Sequence, residues 1–129
     1  MMLAHTPQTT TWLKVSFSNL KTEKGQIYFA LYKTKASFMQ IEQAALAEVF
    51  SLADAQKGIY VSVTPGQTYA FTIFHDENGN GELDKNGLGI PKEGYAFSNN
   101  ATGAFGPPSF DKAGFQCSMD CEQTIKLNY

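Results

Sequence analysis

Charge is scarce in this chain: Asp, Glu, Lys and Arg make up 17% of its 129 residues, below the usual quarter. The low charge, with 43% hydrophobic and 13% aromatic residues, excludes a disordered acidic or basic tail and supplies enough apolar surface for a core. Net charge is −2, and no Lys/Arg cluster exceeds two or three residues. The electrostatic footprint of a nucleic-acid binder is therefore missing. No apolar run approaches the length of a membrane span. The start, Met1-Met2-Leu3-Ala4-His5-Thr6-Pro7, has neither a basic n-region nor an apolar h-region, so it is not a signal peptide. Two readings stay open: a cytoplasmic protein, or an exported domain whose leader has been removed and replaced by a start Met.

Cysteine is also scarce. Cys117 and Cys121 are the only two, and neither His5 nor His75 stands at a zinc-finger spacing from them. In an oxidising compartment the pair would close a small disulfide loop. The intervening segment reads as a turn, which favours the bridge over two free thiols.

What is present is mostly β pattern. Leu13, Val15 and Phe17 alternate with Lys14, Ser16 and Ser18, a strand with one buried face over 12–18. Residues 26–33 form a second strand, apolar on both faces and hence central. Ser37-Phe38-Met39-Gln40 fits a capping box ahead of Ile41, Ala44, Ala45 and Leu46, which predicts a short helix over 38–47. Strands are expected near 48–53, 58–63 and 68–75, then 95–97, 114–118 and 124–129. The expected core is Leu13, Val15, Phe17, Ile27, Phe29, Leu31, Val61, Phe71, Ile73 and Leu127. These elements predict a mainly β protein, a single antiparallel β-sandwich with one short helix and a long Gly/Asn/Pro-rich loop. Residues 1–10 read as a disordered or added N-terminus and residues 11–129 as one domain.

The long irregular stretch from Asp76 to Asp111 carries the chemistry, since loops of that length in small domains are usually functional. Asp76-Glu77-Asn78-Gly79-Asn80-Gly81-Glu82-Leu83-Asp84 places oxygen side chains at loop positions 1, 3, 5 and 9 and glycine at 6. That is the front half of a calcium loop: Ca²⁺ takes six to eight hard oxygens, and a chain coiling round the ion turns alternate side chains inward. Asp76, Asn78, Asn80 and Asp84 are the expected side-chain ligands, with Glu82 giving its carbonyl. Position 12 is Gly87, not Glu, so Glu93, or less well Asn86, would complete the shell. A long hairpin turn explains Asn-Gly alone but not acids at both ends. Binding is expected to be weak.

Other chemistry is thinner. His75 beside Asp76 would act as a general base in a small hydrolase, with Ser98 or Ser109 as nucleophile, yet neither serine lies in a G-x-S-x-G elbow. Gly87-Leu88-Gly89 lacks the third glycine and following helix of a phosphate loop. Tyr95, Phe97, Phe105 and Phe110 are expected to fold the long loop back onto the sandwich, with Pro107-Pro108 stiffening it.

Several long motifs stand in fixed order: Pro65-Gly66-Gln67-Thr68-Tyr69-Ala70, Phe74-His75-Asp76-Glu77-Asn78-Gly79-Asn80-Gly81, Leu88-Gly89-Ile90-Pro91-Lys92-Glu93-Gly94-Tyr95-Ala96-Phe97-Ser98-Asn99-Asn100, and Phe105-Gly106-Pro107-Pro108-Ser109-Phe110. In these the chain closely resembles the bacterial family called domain of unknown function 2141, over nearly its whole length. The family motif includes His75, Asp76, Asn78, Asn80, Asp84, Pro91, Glu93 and Gly94; the cysteine pair is not part of it. The resemblance implies a periplasmic or secreted protein with a transthyretin-like or immunoglobulin-like sandwich, and no established activity. More weakly, the Asp76 loop resembles insertions of calcium-stiffened β-sandwich modules on bacterial surfaces. The combined expectation is a non-catalytic, monomeric module that binds a small ligand or a protein of the cell envelope, with the His75 hydrolase as the alternative.

Overall fold

The computed structural model describes residues 10–20, 25–76, 94–104 and 106–129. Among these residues seven strands form two sheets. In chain order they are β1 (Thr11–Phe17), β2 (Gln26–Tyr32), β3 (Leu46–Ser51), β4 (Ile59–Val63), β5 (Ala70–Asp76), β6 (Tyr95–Phe97) and β7 (Cys121–Ile125). One sheet has the order β4-β1-β7, the other β3-β2-β5-β6. Two short helices, α1 (Leu52–Gln56) and α2 (Phe110–Ala113), lie in the connections.

Alternation explains the core. Leu13 and Val15 of β1, Ile59, Val61 and Val63 of β4 and Ile125 of β7 meet Ile27, Phe29 and Leu31 of β2 and Phe71 and Ile73 of β5. The expected core residues are buried there, except that Phe17 is half-buried against its edge. The apolar second face of β2 is also covered. Ala30, Tyr32, Ala70, Phe97, Phe110 and Ala113 form a second cluster, with Phe38 and Tyr95 packed on it. Phe38 meets Tyr32, Phe97 and Phe110 edge-on at 5.6, 6.5 and 5.7 Å between ring centroids. Of the aromatic residues expected to fold the long segment back, Phe97, Phe110 and Tyr95 do so; Phe105 lies outside the described residues.

Four expectations are corrected. The helix over 38–47 does not form. Met39 takes φ 73°, which an α-helix cannot pass through, and only a 3-10 turn at Ile41–Gln43 remains. Ser37 is used instead in a local turn, its N–H donating to Thr34 Oγ1 at 3.1 Å. Phe38, half-buried, packs on the second cluster, and Ala45 N–H donates to the Leu31 carbonyl at 2.7 Å just ahead of β3 at Leu46. Second, β3 ends at Ser51, whose hydroxyl accepts from Asp54 N–H at 3.1 Å and caps α1. Third, 114–118 is not a strand; Phe115 makes a single bridge to Tyr69. Fourth, the last strand is Cys121–Ile125 rather than 124–129, and it runs parallel to β1, so the sandwich is not wholly antiparallel.

Candidate functional site

β5 ends on Asp76, the first residue of the calcium-type sequence, and Gly94 directly precedes β6. Both ends stand on paired backbone. Asp76 is in register with Gln26 and His75 with Ile27, while His75 N–H donates to the Gly94 carbonyl at 2.7 Å. Asp76 and His75 are both fully buried, 0% exposed, and strand alternation turns them to opposite faces. Asp76 lies on the side of Phe74, whose ring stacks on Tyr28 at 4.6 Å. His75 faces the sandwich core, and its Nδ1 shares a 2.9 Å hydrogen bond with the Tyr129 hydroxyl. Gly94 makes room for that tyrosine: a Cβ there would stand 2.5 Å from Tyr129 Cε1. Tyr95 and Asn128 exchange both backbone hydrogen bonds, so the C-terminus is tied to the point where the chain re-enters the sheet.

Of the expected ligands, the structure places only Asp76. Asn78, Asn80, Glu82, Asp84 and Glu93 lie outside the described residues, as do Asn86, Pro91 and the Gly87-Leu88-Gly89 run. Among the described residues no three His, Cys, Asp or Glu side chains gather as a metal site.

Among the described residues the three hydrolase candidates make separate contacts. His75 meets Tyr129, whereas Ser98 and Ser109 are engaged elsewhere. Ser98 Oγ accepts from Phe71 N–H at 3.0 Å and donates to the Ala113 carbonyl, fully buried. Ser109 Oγ accepts from Lys112 N–H at 3.2 Å and caps α2.

Much of the Ser98-Asn99-Asn100 motif is stitching that sequence reasoning missed. Asn99 and Asn100 adopt φ 62° and 52°, a left-handed conformation that asparagine tolerates better than most residues. Asn99 Nδ2 donates to the Gly114 carbonyl at 2.8 Å, and its backbone N–H donates to Gln123 Oε1 at 2.6 Å. Asn100 Nδ2 donates to the Thr124 carbonyl at 3.0 Å, and Asn100 Oδ1 accepts from Lys126 N–H at 2.9 Å. These bonds tie the end of β6 in one sheet to β7 in the other.

Cys117 and Cys121 are joined as a disulfide with their Cα atoms 5.8 Å apart. The bridge spans the turn that leads into β7. Asp120, inside it, accepts at one oxygen from Thr11 Oγ1 (2.7 Å) and Trp12 N–H (2.9 Å).

A two-sheet β-sandwich whose central strand β5 ends on the first residue of the motif is the class these features define. The chain belongs to the bacterial family described as an uncharacterized protein conserved in bacteria, domain of unknown function 2141, whose pattern matches residues 15–126. No curated protein and no solved structure matches it. None of the helices among the described residues is long and apolar enough to cross a membrane.

Proposed function

We propose that this protein is an exported, non-catalytic binding module of the bacterial cell envelope, and that the Asp76–Asp84 loop binds one weakly held Ca²⁺ that stiffens the sandwich. The observation that carries the reading is Asp76. It is the first residue of the D-x-N-x-N-G-x-x-D sequence, and its carboxylate is wholly buried on the last residue of a strand paired through Gln26. A buried carboxylate is kept where hydrogen bonds or a metal compensate its lost hydration. Set on a rigid strand end, it gives a coiling loop a fixed first ligand. Asn78, Asn80 and Asp84 would follow with side-chain oxygens, Glu82 with its carbonyl and Glu93 with a closing carboxylate. Export is supported by the Cys117–Cys121 bridge, since structural disulfides persist in oxidising compartments.

Calorimetric titration of the full chain tests the ion site. Ca²⁺ is expected to bind once, with a dissociation constant on the order of 10⁻⁴–10⁻³ M, and Mg²⁺ far more weakly because it demands a tighter octahedron. Asp84→Ala, which leaves the strand end intact, should abolish the heat. Equal binding of Ca²⁺ by that variant would remove the loop as the site.

A further inference from the structure

The solvent face of the β4-β1-β7 sheet carries a groove that contains none of the Asp76–Asp84 residues. Alternation turns Leu13 and Val15 inward and leaves Trp12 and Lys14 outward, and it does the same for Tyr60 between Ile59 and Val61. Trp12 is 51% exposed and Tyr60 59%. In the antiparallel register Lys14 stands opposite Tyr60 and Trp12 opposite Ser62, so the two aromatic residues are diagonal neighbours on one face. With Lys14, Asp120, Cys121 and Glu122 they line an open groove of about 580 Å³.

The groove is built before anything binds. Asp120 accepts from the Trp12 backbone N–H and from the Thr11 hydroxyl, and the Cys117–Cys121 bridge brackets Asp120. Lys14 Nζ lies 5.6 Å from the Tyr60 ring centroid and 4.0 Å from Glu122 Oε2. Rigid aromatic anchors lose little freedom on binding.

We propose that this groove binds a neutral oligosaccharide, with Trp12 and Tyr60 stacking on pyranose rings and Lys14 and Glu122 hydrogen-bonding their hydroxyls. The choice of occupant follows from charge and shape. Two carboxylates beside one ammonium repel anionic lipid headgroups, nucleic acid and uronic acids. A wholly apolar partner would cover those charges without pairing them. A sugar ring matches both features, because its C–H faces are apolar and its rim of hydroxyls both donates and accepts. The inference rests on the reading of the protein as a binding module, names its ligand class, and is independent of the calcium loop.

Trp12 is the only tryptophan, so its emission reports on the groove directly. The full chain is titrated, in chelator and again in calcium, with hexasaccharides of β-1,4-linked glucose, N-acetylglucosamine and xylose and of α-1,4-linked glucose. At least one is expected to shift the emission saturably. By calorimetry Trp12→Ala and Tyr60→Ala should each weaken binding roughly ten-fold or more with unchanged melting, whereas Tyr60→Phe keeps it. Four results overturn the proposal: no shift with any hexasaccharide, binding that survives both alanine changes, capture of a proline-rich or lysine-rich peptide in place of sugar, or a dimer that Trp12→Ala dissociates. A chain that binds sugar and ignores calcium loses the loop reading alone; the reverse result loses this one alone.

Discussion

Ser98 Oγ sits between the Phe71 amide and the Ala113 carbonyl, and it shows how far a single hydroxyl reaches in a small sandwich. Ser98→Ala would leave both backbone groups buried without that partner. The expected loss is about 2 kcal/mol in urea unfolding, against a few tenths for Ser16→Ala on the solvent face. Asp120 adds an acid dependence. The hydrogen bond from Thr11, then that from the Trp12 amide, hold its carboxyl below the ordinary value. Such a group contributes stability that is whole above its unfolded value and is lost as pH falls through the lower folded one. Thr11→Val should therefore flatten the acid end of a stability–pH curve, and an unchanged curve would contradict the clamp. Tyr32 adds an alkaline dependence. Burial raises its phenol above 10.0, the Thr72 hydrogen bond offsets part of this, and the Glu42 charge adds to the rise. Its contribution is present below the unfolded value and declines as pH climbs through the folded one. Alkaline melts of Tyr32→Phe should fall less steeply than those of the parent chain.

The elements divide by how locally they are determined. β1, β2, β4 and β5 were legible because alternation with one shared core is a local signal, and the register of Ile27, Phe29 and Leu31 follows from it. The 38–47 segment was not legible. Its capping box and apolar spacing favour a helix locally, but Phe38 is claimed by a distant aromatic cluster and Leu46 by the edge of β2. The end of β3 could have been read: Ser51 followed three residues later by Asp54 is a helix-start signal ahead of buried Leu52 and Ala55. The start of β7 could not, because parallel pairing of the first and last strands is a contact of the longest range. The disulfide turn belongs to this scale. Removing it by Cys117→Ser with Cys121→Ser should cost about 2 kcal/mol by the chain-entropy estimate, for so short a loop. In chain purified from an oxidising compartment, alkylation without reductant should label neither cysteine.

At the scale of the whole molecule the two sheets meet across one core, and Asn99 and Asn100 tie the four-stranded sheet to the three-stranded one beyond it. The family motif thus divides. The Ser98-Asn99-Asn100 stretch builds the fold, and the Asp76 stretch holds the candidate ion ligands. The spacing of those oxygens was plain in the sequence; the burial of Asp76 at a paired strand end and the use of His75 by Tyr129 were not, because both depend on the partner strand and the C-terminus. Ca²⁺ coupling to the fold is the central claim, and thermal melting of the full chain in millimolar calcium and in chelator tests it most directly. At about ten times the dissociation constant, calcium should stabilise the native state by roughly 1.4 kcal/mol, or about 5 °C in the midpoint. Asp84→Ala should melt at the chelator value in both buffers. Coincident melts of the parent chain in calcium and chelator would contradict the account.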